Sequence, residues 1–358
     1  MSVGTYGESQ LLQSDDVGLG CARGGFHVDP WGASPCAVIT HAHSDHVRGG
    51  SEVYYCASDS RALIEQRVPG AKVIGVPYGE AVRLGDATIS FHPAGHCLGS
   101  AQVCVQAGHD GAGEVWVATG DYKRQADPTC DEFEVVPCDV LITEATFGLP
   151  IYRWEEAEDV IDEIIAWWRS CEERGKVAVL LTYALGKAQR VLGELERAKT
   201  RAGNEWMNDR VVYVHGALEG MIESYRKAGK ALFPTKPVAL EADKRKNSRE
   251  SFAGQLVMAP PSAESSPWIK RFGQSSHVEI GFASGWMSLR GIRRRRSCDR
   301  GFVISDHADW PALLQTVEES GCKRVLTTHG YSATLSRYLR EQGMESSVLR
   351  TQYADEEE

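Results

Sequence analysis

The sequence predicts an α/β protein in which a second α/β domain interrupts the first. Over the first 145 residues, short β-like runs alternate with Gly, Pro and Asp turns, and strands are predicted over residues 37–40, 53–56, 87–92, 114–119 and 139–143. From Trp154 the pattern changes to alternating helices and strands, and after Arg300 the earlier style returns. A length of 358 residues also exceeds what one hydrophobic core usually holds. We therefore expect a discontinuous domain, residues 1–150 and 300–358, and an inserted domain, residues 151–299.

The inserted segment predicts a parallel sheet with helices against it, because strands and helices alternate along it. Helices are predicted over 154–173, 186–199 and 217–227, and strands over 176–182, 211–214, 255–259 and 278–283. Residues 229–251 carry many charges and little periodicity, so we predict an exposed loop there. Farther along, strands are predicted over 302–305 and 324–328 and helices over 309–320 and 331–342, with Asp309 as N-cap and Pro311 just inside the helix.

The composition is that of a globular protein, with 42% hydrophobic and 25% charged residues, and it excludes disorder of the whole chain. No apolar run approaches the ~18 residues of a membrane span. The ten cysteines form no C-x-x-C pair, and the first residues show neither the basic nor the apolar part of a secretory signal. We expect reduced, mostly buried cysteines and a cytoplasmic protein.

One loop concentrates metal-binding side chains. The heptapeptide THAHSDH places His41, His43, Asp45 and His46 within six residues, directly after the predicted strand 37–40. Two histidines at i and i+2 leaving a strand point to the same side. Burying four such side chains without a partner is unfavourable, and imidazole with carboxylate suits Zn²⁺ or Mn²⁺.

Single candidate ligands follow other predicted strands, namely His96, Asp121 and His329. Gly95 and Gly99 flank His96, and we expect them to let the backbone approach a metal or a phosphate closely. Together with the loop these residues complete two ligand sets, one of His41, His43, His96 and Asp121, and one of Asp45, His46, Asp121 and His329. Asp121 would bridge two metals ~3.5–4 Å apart, an arrangement that supports in-line attack on a phosphodiester.

These motifs resemble known families. THAHSDH, the GH of AGHCLGS and the TGD motif resemble, in order, the metallo-β-lactamase superfamily, and TEATFG, YALGKAQ, SDHADW and THG resemble its β-CASP nucleases. GDYKRQADPTC, TFGLPIYRW, APPSAESSPW and SGWMSLRG resemble the bacterial DNA exonucleases associated with ATP-dependent DNA ligases. The resemblance covers essentially the whole chain. It implies a metallo-β-lactamase αββα sandwich with an inserted β-CASP α/β capping domain and two divalent ions, Zn²⁺ and/or Mn²⁺.

The resemblance also implies catalytic roles. His307 of SDHAD matches the family's general acid for the leaving oxygen, and Glu144 matches the acidic residue that orients it. A carboxylate beside an imidazole keeps the imidazole protonated near neutral pH. Asp45 and Asp121 belong to the catalytic set as well as to the metal ligands.

Basic clusters interrupt an acidic chain of net charge −10. Residues 290–300 hold six arginines and one acid, and residues 226–249 hold eight Lys or Arg and two acids. Such runs inside a domain that caps a phosphodiesterase site are expected to contact backbone phosphates. The predicted nucleic-acid contacts are Lys123, Arg124, Lys187, Arg190, Arg293, Arg294, Arg295 and Arg296.

We expect a two-metal exodeoxyribonuclease of DNA repair that prefers single strands and attacks from the 5′ end. The resemblance implies a DNA substrate, a functional link to an ATP-dependent DNA ligase and a repair helicase, and a bacterial cytoplasm. An RNA exo- or endonuclease stays open, because RNA-processing relatives carry a histidine at the position of His329. A thioesterase or lactamase and a non-enzymatic binding subunit are further alternatives. The arginine run argues against the former, and the complete ligand set argues against the latter.

Overall fold

The structure is a computed structural model that describes residues 10–107, 113–239, 252–264, 266–273, 276–291 and 298–351. The chain divides into two compact units. Unit 1 comprises Met1–Arg124, Asp131–Arg153 and His307–Glu358, and unit 2 comprises Gln125–Cys130 and Trp154–Asp306. The short segment Gln125–Cys130, which falls inside the first predicted domain, therefore clusters with unit 2.

The first sheet of unit 1 has its strands in the order of the sequence. The strands are β1 (Gln13–Ser14), β2 (Leu19–Cys21), β3 (Phe26–Val28), β4 (Cys36–Val38), β5 (Val53–Ala57) and β6 (Lys72–Val76). The pairs β1–β2 and β2–β3 are antiparallel, and β3 through β6 are parallel. Helix α1 (Arg61–Arg67) crosses from β5 to β6 and contacts β6. Because β4 ends at Val38, earlier than predicted, the THAHSDH residues lie in the loop beyond it.

The second sheet of unit 1 begins with an antiparallel meander. Its strands are β7 (Val82–Leu84), β8 (Ala87–Pro93), β9 (Ala101–Ala107) and β10 (Val115–Ala118), followed by β11 (Val140–Glu144), which pairs with β10 in parallel. Alternating burial along β8 matches one face on the core, and uniform burial of β11 matches a central strand.

Unit 2 is built on a parallel sheet, as the alternation of strands and helices predicts. Its strands are β12 (Val177–Leu181), β13 (Val212–Val214), β14 (Thr235–Pro237), β15 (Leu256–Ala259), β16 (Val278–Ala283) and β17 (Arg300–Phe302), in the order β14-β13-β15-β12-β16-β17. Its described helices are α2 (Ala157–Glu173), α3 (Lys187–Lys199), α4 (Gly216–Lys227) and α5 (Pro267–Lys270). The buried residues of α2 include the predicted apolar face, from Val160 to Trp168.

Two predicted elements of this unit are wrong in detail. The stretch 229–251 is not simply an exposed loop, since Phe233 and Val238 are buried and strand β14 lies between them. Its remaining residues, 240–251, lie outside the described part of the chain. The predicted strand 302–305 is instead Arg300–Phe302, because pairing with β16 ends where Ala283 meets Phe302.

The chain then returns to unit 1 and completes its second sheet. Strands β18 (Arg324–Thr328) and β19 (Glu345–Val348) extend the order to β19-β18-β11-β10-β9-β8-β7, with helices α6 (Trp310–Ser320) and α7 (Ser332–Glu341) between them in sequence. The predicted cap of α6 is confirmed, because the Ala312 N–H donates to Asp309 Oδ1 at 3.0 Å. The polar edge strand β19 has no apolar alternation and was missed.

The cores of unit 1 define its layers. One apolar cluster joins the two sheets, with Val28 and Val38 from the first sheet and Ile89 and Trp116 from the second. Another fills the space between the second sheet and helices α6 and α7. With α1 against the first sheet, unit 1 has the αββα layering of the predicted fold class.

Two further features concern the cysteines and the helices. All ten cysteines are thiols, and six of them are buried. Among the helices of the described residues, none has the length and apolar character needed to cross a membrane.

Candidate metal centre

The loop after β4 gathers its histidines inside unit 1. His41 is fully buried, and its ring centroid lies 4.8 Å from that of His43 and 4.0 Å from that of His46. The Asp45 side chain in the same loop is half exposed. The two histidines at i and i+2 thus point to the same region, as their spacing predicts.

Four side chains of the first predicted ligand set converge. One donor atom from each of His41, His43, His96 and Asp121 lies within 4.8 Å of the others. Asp121 Oδ2 is 3.5 Å from His41 Nε2 and 3.9 Å from His96 Nε2. His96 Nε2 is 3.0 Å from His43 Nδ1. The cluster therefore has the donor types and the spacing to hold a divalent cation.

The second predicted set is joined to the first through Asp121. His46 Nε2 lies 3.6 Å from Asp45 Oδ2 and 3.6 Å from Asp121 Oδ2. The rings of His46 and His329 are stacked, with centroids 5.6 Å apart. Asp121 thus touches members of both sets, which is what a bridging ligand needs.

The buried imidazoles fit a metal. His41 Nε2 has no hydrogen-bond partner among the described residues, although burial of an unsatisfied polar atom is costly. Burial lowers the pKa of His41 well below its usual value and that of His329 to about 4, and the nearby His46 acts in the same direction. Both rings are therefore neutral at pH 7, which is the form that ligates metals.

The charges at the centre fit a metal as well. Burial raises the pKa of Asp121 to about 7, against the opposing effect of His46. Burial would lower the pKa of His46, but the carboxylates of Asp121 and Asp29 raise it to about 10. The carboxylates of Asp121 and Asp29 thus favour a positive charge beside them, here a proton on His46. A divalent cation would supply this charge and displace the proton.

Asp29 is a site residue that the sequence analysis missed. Its Oδ2 accepts hydrogen bonds from His46 Nδ1 at 2.8 Å and from the Thr40 hydroxyl at 2.6 Å, and its Oδ1 accepts the Thr40 N–H at 2.8 Å. A carboxylate that fixes the far nitrogen of an imidazole sets the orientation of a ligating histidine. Asp29 follows β3 directly, so the rule that polar residues at strand ends form the site would have found it.

Two residues of the candidate metal centre have a strained backbone conformation. Asp29 and His329 are, among the described residues, the non-glycine residues with positive φ, at 43° and 57°. Such strain persists where the surrounding structure enforces it and concentrates at functional sites. Gly330 follows with φ 48°, and a Cβ there would lie 2.5 Å from Thr146 Cα. The turn after β18 is therefore tightly fixed against the loop after β11.

The partly exposed His307 pairs with the buried Glu144 next to this cluster. His307 Nδ1 lies 2.9 Å from Glu144 Oε2 and 3.1 Å from Oε1, and Glu144 Oε1 also accepts the Tyr122 N–H at 2.7 Å. Burial would raise the pKa of Glu144, but His307 and the hydrogen bonds to Glu144 lower it below its usual value. Asp121, Glu144 and His307 also form a second group of mutually close donors.

The glycines around His96 have a different role from the one predicted. A Cβ on Gly95 would lie 2.3 Å from Lys123 O, and a Cβ on Gly99 would lie 2.1 Å from Ser60 N. Both glycines have positive φ. The expectation that they admit a metal or phosphate is wrong, because what approaches them closely is the protein's own backbone.

The structure places the described candidates for nucleic-acid contact in protein interactions. Lys123 is fully buried, and Arg124 Nη2 pairs with Glu319 Oε2 at 2.6 Å. Lys187 and Arg190 are buried within unit 2. Arg293, Arg294, Arg295 and Arg296 lie outside the described residues. A role in DNA binding stays a prediction for all eight.

Comparison with known proteins found relatives along the chain. A probable DNA ligase of Opitutus terrae is 29% identical over 93% of this chain and 30% of its own length. Cleavage and polyadenylation specificity factor 73 of Drosophila melanogaster is 27% identical over 51% of this chain and 28% of its own. Ribonuclease TTHA0252 of Thermus thermophilus is 29% identical over 46% of this chain and 44% of its own. The chain thus spans less than half the length of each of these relatives. No protein-family model matches the chain.

The αββα layers of unit 1, with histidines and acids clustered beyond the strand ends, define the metallo-β-lactamase fold. These relatives are consistent with the β-CASP nucleases of that fold, the family that the sequence motifs resemble.

Proposed function

We propose that the chain is a metal-dependent exonuclease of single-stranded DNA that begins at the 5′ end and acts in DNA repair. The observation that carries the proposal is that two functional groups of side chains in unit 1 share a residue. A cluster of metal-type donors and a His307–Glu144 pair share one carboxylate, that of Asp121. The cluster of metal-type donors suits activation of water, and the His307–Glu144 pair suits protonation of a leaving oxygen.

Two divalent ions, Zn²⁺ and/or Mn²⁺, would be held by His41, His43, Asp45, His46, His96, Asp121 and His329. When bound, such ions lower the pKa of water and neutralise charge on the phosphodiester. Asp121 would bridge, because it touches members of both ligand sets. Asp29 fixes the orientation of the His46 ring through a hydrogen bond to its Nδ1.

His307 would be the general acid. Its Nδ1 is occupied by Glu144, so Nε2 is the ring atom that gives a proton to the departing oxygen. The buried Glu144 carboxylate stabilises the protonated ring and fixes its orientation. The His307 side chain is 24% exposed, which leaves it within reach of a substrate.

DNA is preferred as substrate because of the extent of the ligase alignment. The probable DNA ligase aligns with 93% of this chain, whereas the ribonuclease aligns with 46%. The same relative supports the proposal that the chain acts beside a DNA ligase. The ten cysteine thiols support a cytoplasmic location.

One gel tests the proposal. Single-stranded DNA and RNA of one sequence, labelled at either end, are incubated with the protein and Mn²⁺ or Zn²⁺. We expect release of label from the 5′ end of DNA. Asp121→Ala and His43→Ala should abolish cleavage without unfolding the protein. His92→Ala serves as control, because His92 is a histidine of unit 1 that pairs with Glu134 outside the cluster. Cleavage by Asp121→Ala at the wild-type rate would contradict the metal assignment.

The second candidate is an RNA exo- or endonuclease with the same chemistry. It is supported by the presence of His329, whose ring stacks on that of His46, and by relatives named as endoribonuclease and ribonuclease. Cleavage of the RNA strand alone in the same gel would establish it.

A further inference from the structure

Four charged side chains form a buried cluster at the start of helix α3 in unit 2. Lys187, Arg190, Asp127 and Asp306 are each at most 8% exposed. Lys187 Nζ lies 2.9 Å from Asp306 Oδ2, and Arg190 lies 3.6 Å from Asp306 Oδ1 and 3.8 Å from Asp127 Oδ2. The two cations and two carboxylates balance one another in charge.

Helix stability does not account for this cluster. Cations in the first turn of a helix oppose its dipole, and the N-cap of α3 is Gly186, which offers no side-chain cap. Removing four charges from water is also unfavourable, and apolar residues of similar volume are often at least as stabilising. The cluster therefore calls for a role other than stability.

The hydrogen bonds that Arg190 donates show which chain segments the cluster connects. Arg190 Nη1 donates to the carbonyl oxygen of Ser305, and Nη2 donates to Gln125 Oε1 at 3.1 Å. One guanidinium thus joins two segments that are far apart in sequence, 125–127 and 305–306. Both segments belong to unit 2.

Each segment is directly continuous with the candidate active site. Asp306 is the last residue of unit 2, and the next residue is His307. Gln125 follows the candidate bridging ligand Asp121 by four residues. A restraint on Asp306 reaches His307 through one peptide bond, and fixed peptide geometry transmits it.

We propose that Arg190 is a positioning residue for the general acid His307. It fixes the Ser305–Asp306 backbone against the 125–127 segment, with Lys187 holding the Asp306 carboxylate, so that the imidazole that follows is presented in one orientation. The proposal rests on the proposed nuclease function. It replaces, for Arg190, the predicted phosphate contact, which complete burial of the guanidinium disfavours. A misplacement of about 1 Å far from the chemistry can lower a rate about 100-fold.

The test uses a substrate that needs no general acid. In a second DNA strand, the leaving oxygen of the scissile phosphodiester is replaced by sulfur, which departs without a proton. Arg190→Lys keeps the charge but loses the planar fork that reaches two segments. We expect kcat on ordinary DNA to fall about 100-fold and kcat on the sulfur strand to stay near wild type. His307→Ala should show the same selective loss.

Arg201→Lys is the matched control. Arg201 lies just beyond α3, and its Nη2 donates to Asp162 Oδ1 at 2.5 Å, so this variant also loses an arginine fork in unit 2. It should cleave both strands as the wild type does. If Arg190→Lys does not fold, Gln125→Ala removes one acceptor of Arg190 and should give a smaller loss with the same selectivity.

Three results for Arg190→Lys would overturn the inference while the nuclease function stands. The first is an equal loss of kcat on both strands, and the second is an unchanged kcat on ordinary DNA. The third is a raised KM with unchanged kcat, which would indicate a phosphate contact. Wild-type protein that cleaves neither strand would overturn the proposed function and the inference together. A His307→Ala variant that loses both activities equally would remove the general acid and, with it, the role of Arg190.

Discussion

Replacing Asp29 by asparagine should weaken the binding of one metal ion and spare the other. Asp29 contacts His46 of the second ligand set directly. Its link to His41 of the first set runs through the Thr40 hydroxyl, which lies 2.6 Å from Asp29 Oδ2 and 3.1 Å from His41 Nδ1. Asparagine has nearly the same shape, but it lacks the charge and can offer only one oxygen to the groups that the two carboxylate oxygens now satisfy.

The expected magnitude follows from these contacts. The His46 Nδ1–Asp29 Oδ2 bond of 2.8 Å is charge-assisted, and such bonds contribute about 1.5–3 kcal/mol. One tenfold change corresponds to about 1.4 kcal/mol, so affinity for the second ion should fall roughly ten- to a hundredfold. Titration of metal-free protein with Zn²⁺ in competition with a chromophoric chelator measures both affinities.

Asp15→Asn is the matched control for this experiment. Asp15 Oδ2 lies 3.0 Å from His27 Nε2, so it is also a carboxylate–histidine pair of unit 1, but it lies on the exposed β1–β2 turn. Its removal should leave both metal affinities unchanged. The reasoning fails if Asp29→Asn binds two ions with wild-type affinity, or if Asp15→Asn weakens binding equally.

Three further changes have expected outcomes. Glu144→Gln should lower kcat roughly 10- to 100-fold at unchanged metal content, because it removes a charge-assisted bond of about 1.5–3 kcal/mol to His307; unaltered kcat would exclude the pair from catalysis. Gly99→Ala should strongly lower the thermal midpoint of unfolding, because the added Cβ would lie 2.1 Å from Ser60 N. Gly49→Ala is the control and should leave the midpoint unchanged, because its added Cβ would lie 4.0 Å from the nearest atom. Equal midpoints of the two variants would contradict this. Removal of metal by a chelator should lower that midpoint by an amount that grows with metal affinity, and re-addition of Zn²⁺ should restore it; a midpoint insensitive to metal would argue against a buried metal centre.

The sequence was most informative where chemistry and strand ends coincide. His41, His43 and His46 are neighbours in sequence, and their rings also lie close together in space, as their spacing predicts. His96 and Asp121 were found because each follows an apolar run. Asp29 obeys the same rule, but a single aspartate before a proline resembles an ordinary turn.

Other features depend on tertiary contacts that no local pattern reveals. Lys187 and Arg190 were predicted to contact nucleic acid, and the structure pairs them with acids from distant segments and buries them. Gly95 and Gly99 were expected to face a ligand, but they face the backbone of Lys123 and Ser60. Strand β14 was missed because Thr235–Pro237 has no alternation and pairs only at the sheet edge. Sequence spacing thus indicated which candidate ligands would lie together, and folding decides which atoms surround them.

Native mass spectrometry of the metal-reconstituted protein tests the central claim most directly. If the clustered histidines and acids form a two-metal centre bridged by Asp121, the wild-type chain should carry two Zn²⁺ or Mn²⁺ ions. Asp121→Ala should lose at least one of them, because Asp121 Oδ2 lies within 3.6 Å of ligand atoms from both sets. A wild-type chain that carries no ion, or an Asp121→Ala chain that keeps both, would contradict the account.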